Sequence, residues 1–221
     1  MIDLEKQKKK LADYYLRRGY GNQRVVDAFL KVPREEFILP ELRDQAYIDQ
    51  PLPLRDGQTI SAPHMCVLTL NYAQFKPGDK VLDIGTGSGY QAALIAEVVG
   101  EEGRVYGIEW HERLAEYGMR NLERTGYSDR VTVIAGDGTM GWPEPEVPPF
   151  DVIVIAAAGP TIPPPLVEQL RVGGKLFMPQ GERFMYQDFI EVTKQEDGSY
   201  TRRVLTSVAF VPLVGQHGVG E

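Results

Sequence analysis

The segment VLDIGTGSGYQAA, residues 81–93, sets Gly85, Gly87 and Gly89 between two apolar runs. Glycines at this spacing allow a tight turn and let a ligand approach backbone N–H groups at a helix start. The pattern is G-x-G-x-G. The dinucleotide fingerprint would need glycine at position 90, where Tyr90 stands. Asp83, two residues before the first glycine, is awkward for a pyrophosphate but suits a ligand with an ammonium or sulfonium group. Glu109, 24 residues after Gly85, and Asp137 in AGDG each close a further apolar run. An acid at the first place accepts hydrogen bonds from ribose hydroxyls in doubly wound folds. An acid at the second can accept from an adenine amine. Each alone reads as an ordinary loop acid. Together they describe one crevice for an adenosine with a cationic, amino-acid-like tail, which is S-adenosylmethionine.

A second stretch, QTISAPHM (58–65), places Ser61 three residues before His64. A serine nucleophile of the α/β class would sit on a G-x-S-x-G elbow, with its histidine late in the chain. Ser61 has Ile60 and Ala62 as neighbours, and Pro63 is expected to keep a helix from starting at once. Two readings stay open for Ser61: a turn serine, or a hydroxyl that hydrogen-bonds a substrate carboxylate. His64 reads equally as a helix-start residue bonding nearby backbone or as a substrate contact. His111 and His217 do not join it in a zinc spacing, so no metal is expected.

The elements that must position these residues follow from periodicity. Residues 4–18 and 22–32 read as helices, with Leu4, Leu11, Tyr14 and Tyr15 at helical spacing and Asn22 as an N-cap. From Pro33 to Pro63 prolines and Asp56-Gly57 break the chain into turns. From Lys80 strands and helices alternate. KVLDIG, GRVYGIEW, RVTVIAGDG, FDVIVIAAA and KLFMPQG are strands, and YQAALIAEVVG, ERLAEYGMRNLERTG and PPLVEQLRVGG are helices. Continuous apolar strands joined by helices argue for a doubly wound, mostly parallel α/β sheet covered on both faces. Two β-rich runs around Asp197-Gly198 predict a C-terminal antiparallel hairpin. The organisation is a helical, substrate-side leader over 1–75 and an α/β core over 76–221, together one compact domain.

The chain has 221 residues and 43% hydrophobic content, enough for a core without staples. Cys66, the single cysteine, is expected to be a small buried apolar residue and fits a reducing compartment. A net charge of −7 argues against unspecific affinity for nucleic acid. The lysines at 6, 8, 9 and 10 read as a solvated helix face. With no targeting segment and no apolar run long enough to span a bilayer, the expectation is a cytoplasmic monomer away from membranes.

VLDIGTGSGYQAA, IEW and AGDG resemble the successive motifs of class I S-adenosylmethionine-dependent methyltransferases. QTISAPHM, FDVIVIAAA with the following IPPPLVEQLRVGGKLFMPQG, and the late FVPLVG are similar to one family of that class, protein-L-isoaspartate O-methyltransferase. The resemblance runs from about Val32 to Gly215 in order. It implies methylation of the α-carboxyl of L-isoaspartyl residues in damaged proteins and peptides. The ester then closes to a succinimide, and S-adenosylhomocysteine is the by-product. It implies that Gly85, Gly87, Glu109, Asp137 and Gly138 contact the cofactor alongside Asp83 and Gly89. Ser61 is implied as the active-site residue, and His64, Met65 and Val211 to Val214, Val214 above all, as substrate or cofactor surroundings.

Rival chemistries are weaker. Methyltransferases acting on amines often carry Asn/Asp-Pro-Pro-aromatic after the fourth strand, whereas this chain reads Ala156-Ala157-Ala158-Gly159-Pro160. A carboxylate target, with a pKa of roughly 4, is already an anion at neutral pH and needs no general base. A nucleotide-sensing module would keep the glycine loop and Glu109 but not QTISAPHM. An NAD-dependent oxidoreductase is opposed by Tyr90 and Asp83.

Overall fold

A computed structural model describes residues 3–182 and 185–220. The leader opens with α1 (Leu4–Arg18) and α2 (Gln23–Lys31). Asp3 accepts from the Lys6 N–H and Asn22 from the Val25 N–H, so each cap satisfies a donor that its helix cannot. Gly19, with φ of 69°, ends α1 in the left-handed conformation open to glycine. Tyr15 and Phe29 face inward, while Tyr14 stays exposed. Lys8 departs from the expected solvated face. Lys6, Lys9 and Lys10 are exposed, but Lys8 is buried, with its ammonium over the Tyr47 ring and Glu5 at 4.0 Å. Its apolar stem covers the leader core, which charge patterning alone does not reveal.

Three short 3-10 turns (34–36, 40–45 and 55–57) and the small antiparallel pair β1 (Leu52–Pro53) and β2 (Thr59–Ile60) follow. Then comes α3 (Pro63–Ala73). The expectation that Pro63 delays a helix is overturned. Pro63 is itself the first helical residue, where its missing N–H would have no partner anyway and its fixed φ favours the turn.

The core alternates as expected: β3 (Lys80–Ile84), α4 (Tyr90–Val99), β4 (Arg104–Glu109), α5 (Glu112–Arg124), β5 (Val131–Ala135), β6 (Phe150–Ile155), α6 (Pro164–Gln169), β7 (Leu170–Gln180), β8 (Gln187–Lys194) and β9 (Tyr200–Val208). One seven-stranded sheet has the order β5-β4-β3-β6-β7-β8-β9. Its pairs are parallel from β5 through β7 and antiparallel from β7 through β9. The strand period of two splits the apolar side chains between faces. Val81, Val105, Val152 and Val154 join a cluster with α4 and the leader helices. Leu82, Ile84, Ile108, Ile153 and Ile155 join a second with Leu166 and Leu176. Both faces are covered, which is why these strands read as continuous apolar runs.

One boundary differs from the sequence reading. PPLVEQLRVGG does not stay helical to its glycines. The helix ends at Gln169, and Leu170 already pairs with Phe150 in the sheet. The register then jumps, with Val152 opposite Lys175, and Gly173 (φ 73°) lies in the irregular stretch between. A bulge absorbs the extra residues that the periodicity assigned to the helix.

Candidate active site

The strand order reverses at β3, whose neighbours β4 and β6 lead to opposite halves of the sheet. Crevices at such switch points, beyond the C-terminal strand ends, are where open α/β sheets bind ligands. Here the crevice is a cleft enclosing about 850 Å³, the solvent at its mouth included.

Its floor is the glycine loop. Gly85, Gly87 and Gly89 all have positive φ (76°, 57° and 87°), and Gly89 caps the start of α4. The close packing beneath them depends on a residue outside the motif. A Cβ on Gly118 of α5 would lie 2.6 Å from the Gly87 carbonyl oxygen, so α5 can support the loop only as glycine. Glu109, at the end of β4, is buried, and burial pushes its carboxyl up. Backbone donors oppose that shift, foremost His111 N–H to Oε1 at 3.0 Å and Gly87 N–H to Oε2 at 2.9 Å. The carboxylate thereby ties the glycine loop to the next strand end and faces the cleft. Asp83 is fully buried in β3. Its Oδ1 accepts from Gln91 Nε2 at 3.0 Å and its Oδ2 has no partner among the described residues. Desolvation raises its carboxyl to about 6 against the Gln91 hydrogen bond.

Ser61, Gly85, Gly87, Glu109, Gly138 and Val214 line this one cleft. Asp83, Gly89, Asp137, His64 and Met65 stand behind or beside it. Asp137 caps the single turn 138–140: Oδ1 accepts from the Thr139 N–H and hydroxyl, and Oδ2 from the Gln216 N–H at 2.8 Å. These bonds outweigh its partial burial and lower its carboxyl. They also pin the tail, so Val211–Val214 runs beside the end of β6. There the Ala158 N–H donates to Val211 O and the Leu213 N–H to Ala158 O, each at 2.8 Å. His64 is turned to the leader, its Nδ1 and backbone N each 2.9 Å from Asp49 Oδ1. Burial would raise Asp49, but the bonds from His64 hold its carboxyl below its ordinary value.

Ser61 sits between β2 and α3, half-buried. Its carbonyl accepts from Arg34 Nη2 at 2.8 Å, while its hydroxyl takes no hydrogen bond among the described residues. Gln58, from the same hairpin, approaches His111 across the cleft, with Nε2 to Nε2 at 3.2 Å. Leu54, Ile60 and Leu213 supply apolar walls. Cys66 is buried as expected, lines the cleft, and burial raises its thiol to about 11.

These features fit S-adenosylmethionine. The loop exposes backbone without Cβ atoms, an acid faces the cleft at the end of the next strand, and a buried carboxylate oxygen without a partner among the described residues lies behind the loop. A family model for Protein-L-isoaspartate(D-aspartate) O-methyltransferase matches residues 6–218. The chain belongs to that family. A protein-L-isoaspartate O-methyltransferase of Hyperthermus butylicus is 49% identical over 97% of this chain and 91% of its own length. One from Thermococcus onnurineus is 51% identical over 90% and 89%. Among solved structures, a Plasmodium falciparum chain described as such a methyltransferase, in complex with S-adenosyl-L-homocysteine, superposes with a TM-score of 0.83. It is 30% identical, and the match covers 94% of this chain and 98% of that one.

Several residues in and around the cleft escape sequence reasoning. Gln58 and His111 lie 53 positions apart, and no local signal announces that they meet. Gly118 hides inside a helix, where glycine usually marks only a weakness. Arg34 looks like one more charge in VPREEF yet has no exposed surface. Followed by Glu35 and Glu36, it reads as part of a solvated charge run, and no local signal marks it as buried.

Proposed function

We infer that the chain transfers a methyl group from S-adenosylmethionine to the free α-carboxylate of L-isoaspartyl residues in damaged proteins and peptides. The observation that carries this reading is Ser61, which lines the same cleft as the glycine loop and Glu109 and whose hydroxyl takes no hydrogen bond among the described residues. The cofactor supplies an electrophilic methyl on a positively charged sulfur. Glu109, held by two backbone N–H groups, is oriented to accept from ribose hydroxyls, and Asp83 supplies negative charge behind the loop. Ser61 donates to one oxygen of the isoaspartyl carboxylate and leaves the other free to attack. With an ordinary pKa of roughly 4 that carboxylate is already ionised at neutral pH, so its attack needs no base from the protein. The chain's task is alignment and exclusion of water, for which Leu54, Ile60 and Leu213 form the apolar walls. Methanol leaves the methyl ester far more readily than hydroxide or oxide would leave the free carboxylate. The next backbone nitrogen displaces methanol to close the succinimide, which water opens partly to normal aspartate.

Family relatives act on isoaspartyl substrates under the same name, and no described helix is long and apolar enough to cross a membrane. Action as a cytoplasmic monomer without nucleic acid is part of the same proposal, supported by the acidic balance of the sequence. Incubation with tritiated S-adenosylmethionine and an isoaspartyl peptide should give volatile counts after base treatment. The matched aspartyl peptide should give none, and equal labelling of both peptides would overturn the substrate assignment.

A further inference from the structure

Arg34 is the largest fully buried side chain in the molecule's described part, and it carries a permanent charge. Its contacts are two carbonyl oxygens and one ring. Nε donates to Ala46 O at 2.9 Å, Nη2 donates to Ser61 O at 2.8 Å, and the guanidinium carbon lies 4.8 Å from the centroid of Tyr90. Nη1 has no partner, and no carboxylate pairs with it among the described residues. A buried charge is ordinarily paired, because desolvation costs more than carbonyls and a ring return. The places it joins explain why the chain keeps it. Ala46 belongs to the leader, Ser61 begins the approach to α3, and Tyr90 is the first residue after the glycine loop. One planar fork thus links the substrate side of the cleft to the cofactor side. Among the described residues, the bond from Nη2 is the hydrogen bond that ties Ser61 to the rest of the chain.

We propose that Arg34 is a positioning residue for methyl transfer: it fixes the Ser61 backbone so that the hydroxyl meets the substrate carboxylate, and its unbalanced charge favours an anion at that point. The inference rests on the reading that Ser61 receives the isoaspartyl carboxylate. Arg34 does not itself line the cleft, so it acts through Ser61 and not by touching substrate. A lysine keeps the charge but not the fork, since an ammonium is a compact donor that cannot hold two carbonyls in one plane and lie flat on a ring.

The test compares wild type, Arg34→Lys, Ser61→Ala and the double variant. For each, kcat and KM are measured on an isoaspartyl peptide, together with the Kd for S-adenosylhomocysteine by calorimetry and the melting temperature. Arg34→Lys should lower kcat roughly 10- to 50-fold, the scale of a lost charge-assisted hydrogen bond that matters in the transition state. Cofactor affinity should stay within about twofold, as for a residue outside the cofactor contacts. In the Ser61→Ala background the same change should cost less than about threefold, because coupled residues are not additive. Equal losses of kcat in both backgrounds, or a parallel fall in cofactor affinity, would reduce Arg34 to a packing residue. Undiminished kcat in Arg34→Lys, with Ser61→Ala impaired, would overturn this inference and leave the function intact. Full activity in Ser61→Ala would remove the reading on which it rests. Should Arg34→Lys not fold, the wild-type Arg34 Nε–H resonance decides. It should shift when isoaspartyl peptide joins the S-adenosylhomocysteine complex and stay unmoved with the aspartyl peptide; no shift with either peptide refutes the proposal.

Discussion

On the proposed cofactor side of the cleft, the candidate groups hang on the ends of neighbouring parallel strands. Sheet register places them: Asp83 lies opposite Gly107 and Val154, and Glu109 opposite Ala135. On the proposed substrate side, Ser61 follows a strand of only two residues, and its surroundings are joined by side-chain bonds: Arg34 to Ser61, Gln58 to His111, Asp49 to His64. The first half takes its geometry from ladder hydrogen bonds and stores its cost as buried negative charge. The second takes its geometry from a few side-chain bonds and holds little buried acid. The cofactor side should therefore answer to pH and to charge removal, and the substrate side to loss of single contacts.

The largest expected effect breaks the electrostatic half. Asp83 has its pKa raised from 3.8 to about 6 by burial. Below about pH 4 its carboxyl is neutral in both folded and unfolded chains and costs nothing. Between about 4 and 6 the unfolded chain ionises first, so stability falls as pH rises; above 6 the cost is complete. Asp83→Asn should raise the stability of the ligand-free protein at pH 7–8 by an amount on the order of 3 kcal/mol, at about 1.4 kcal/mol per unit. Urea titrations at pH 4 and pH 8 check this. A gain as large at pH 4 would mean that charge is not its source. Because the variant lacks the charge for a cationic tail, it should also bind S-adenosylmethionine more weakly.

Next comes Glu109→Ala. Cofactor affinity should weaken by roughly 1.5–3 kcal/mol, the range for hydrogen bonds to a charged group. Calorimetry with S-adenosylhomocysteine reads it directly, and an unchanged Kd would take Glu109 out of the site. Ser61→Ala sharpens the contrast from the other side. Catalytic efficiency on isoaspartyl peptide should drop roughly 10- to 100-fold, the worth of one positioned hydrogen bond, with cofactor affinity nearly intact. A serine-directed fluorophosphonate should leave wild type unlabelled. Stoichiometric modification of Ser61 would turn the site into that of a hydrolase. The smallest effect is a flat profile. With cofactor saturating, single-turnover methyl transfer should vary by less than about twofold from pH 6 to 8, because the attacking carboxylate ionises near 4. A steep rise across neutrality would reveal a base in the substrate half.

Much of this contrast follows from how far apart in the chain the cooperating residues lie. VLDIG, the glycines after it, Glu109 and the alternation from Lys80 to Gln180 were legible in the sequence, because each depends on neighbours within one strand–turn–helix unit. So were the N-cap at Asn22 and the hairpin at Asp197-Gly198, which forms between β8 and β9. What tertiary structure alone decided has the opposite character. The bulge that converts Leu170–Gly174 from helix to strand exists because β6 offers ladder partners there. Pro63 starts α3 and does not delay it, in a helix that packs against β7. Asp137 spends its oxygens on Thr139 and Gln216, which lies 79 positions away. Lys8 and Arg34 are buried because surfaces from distant segments close over them. Periodicity reports which face of a segment is apolar, and so it specifies elements and their order. It carries no information on which distant carbonyl or ring will surround a charged side chain once those faces meet, and at this cleft that decides how the Ser61 backbone is held.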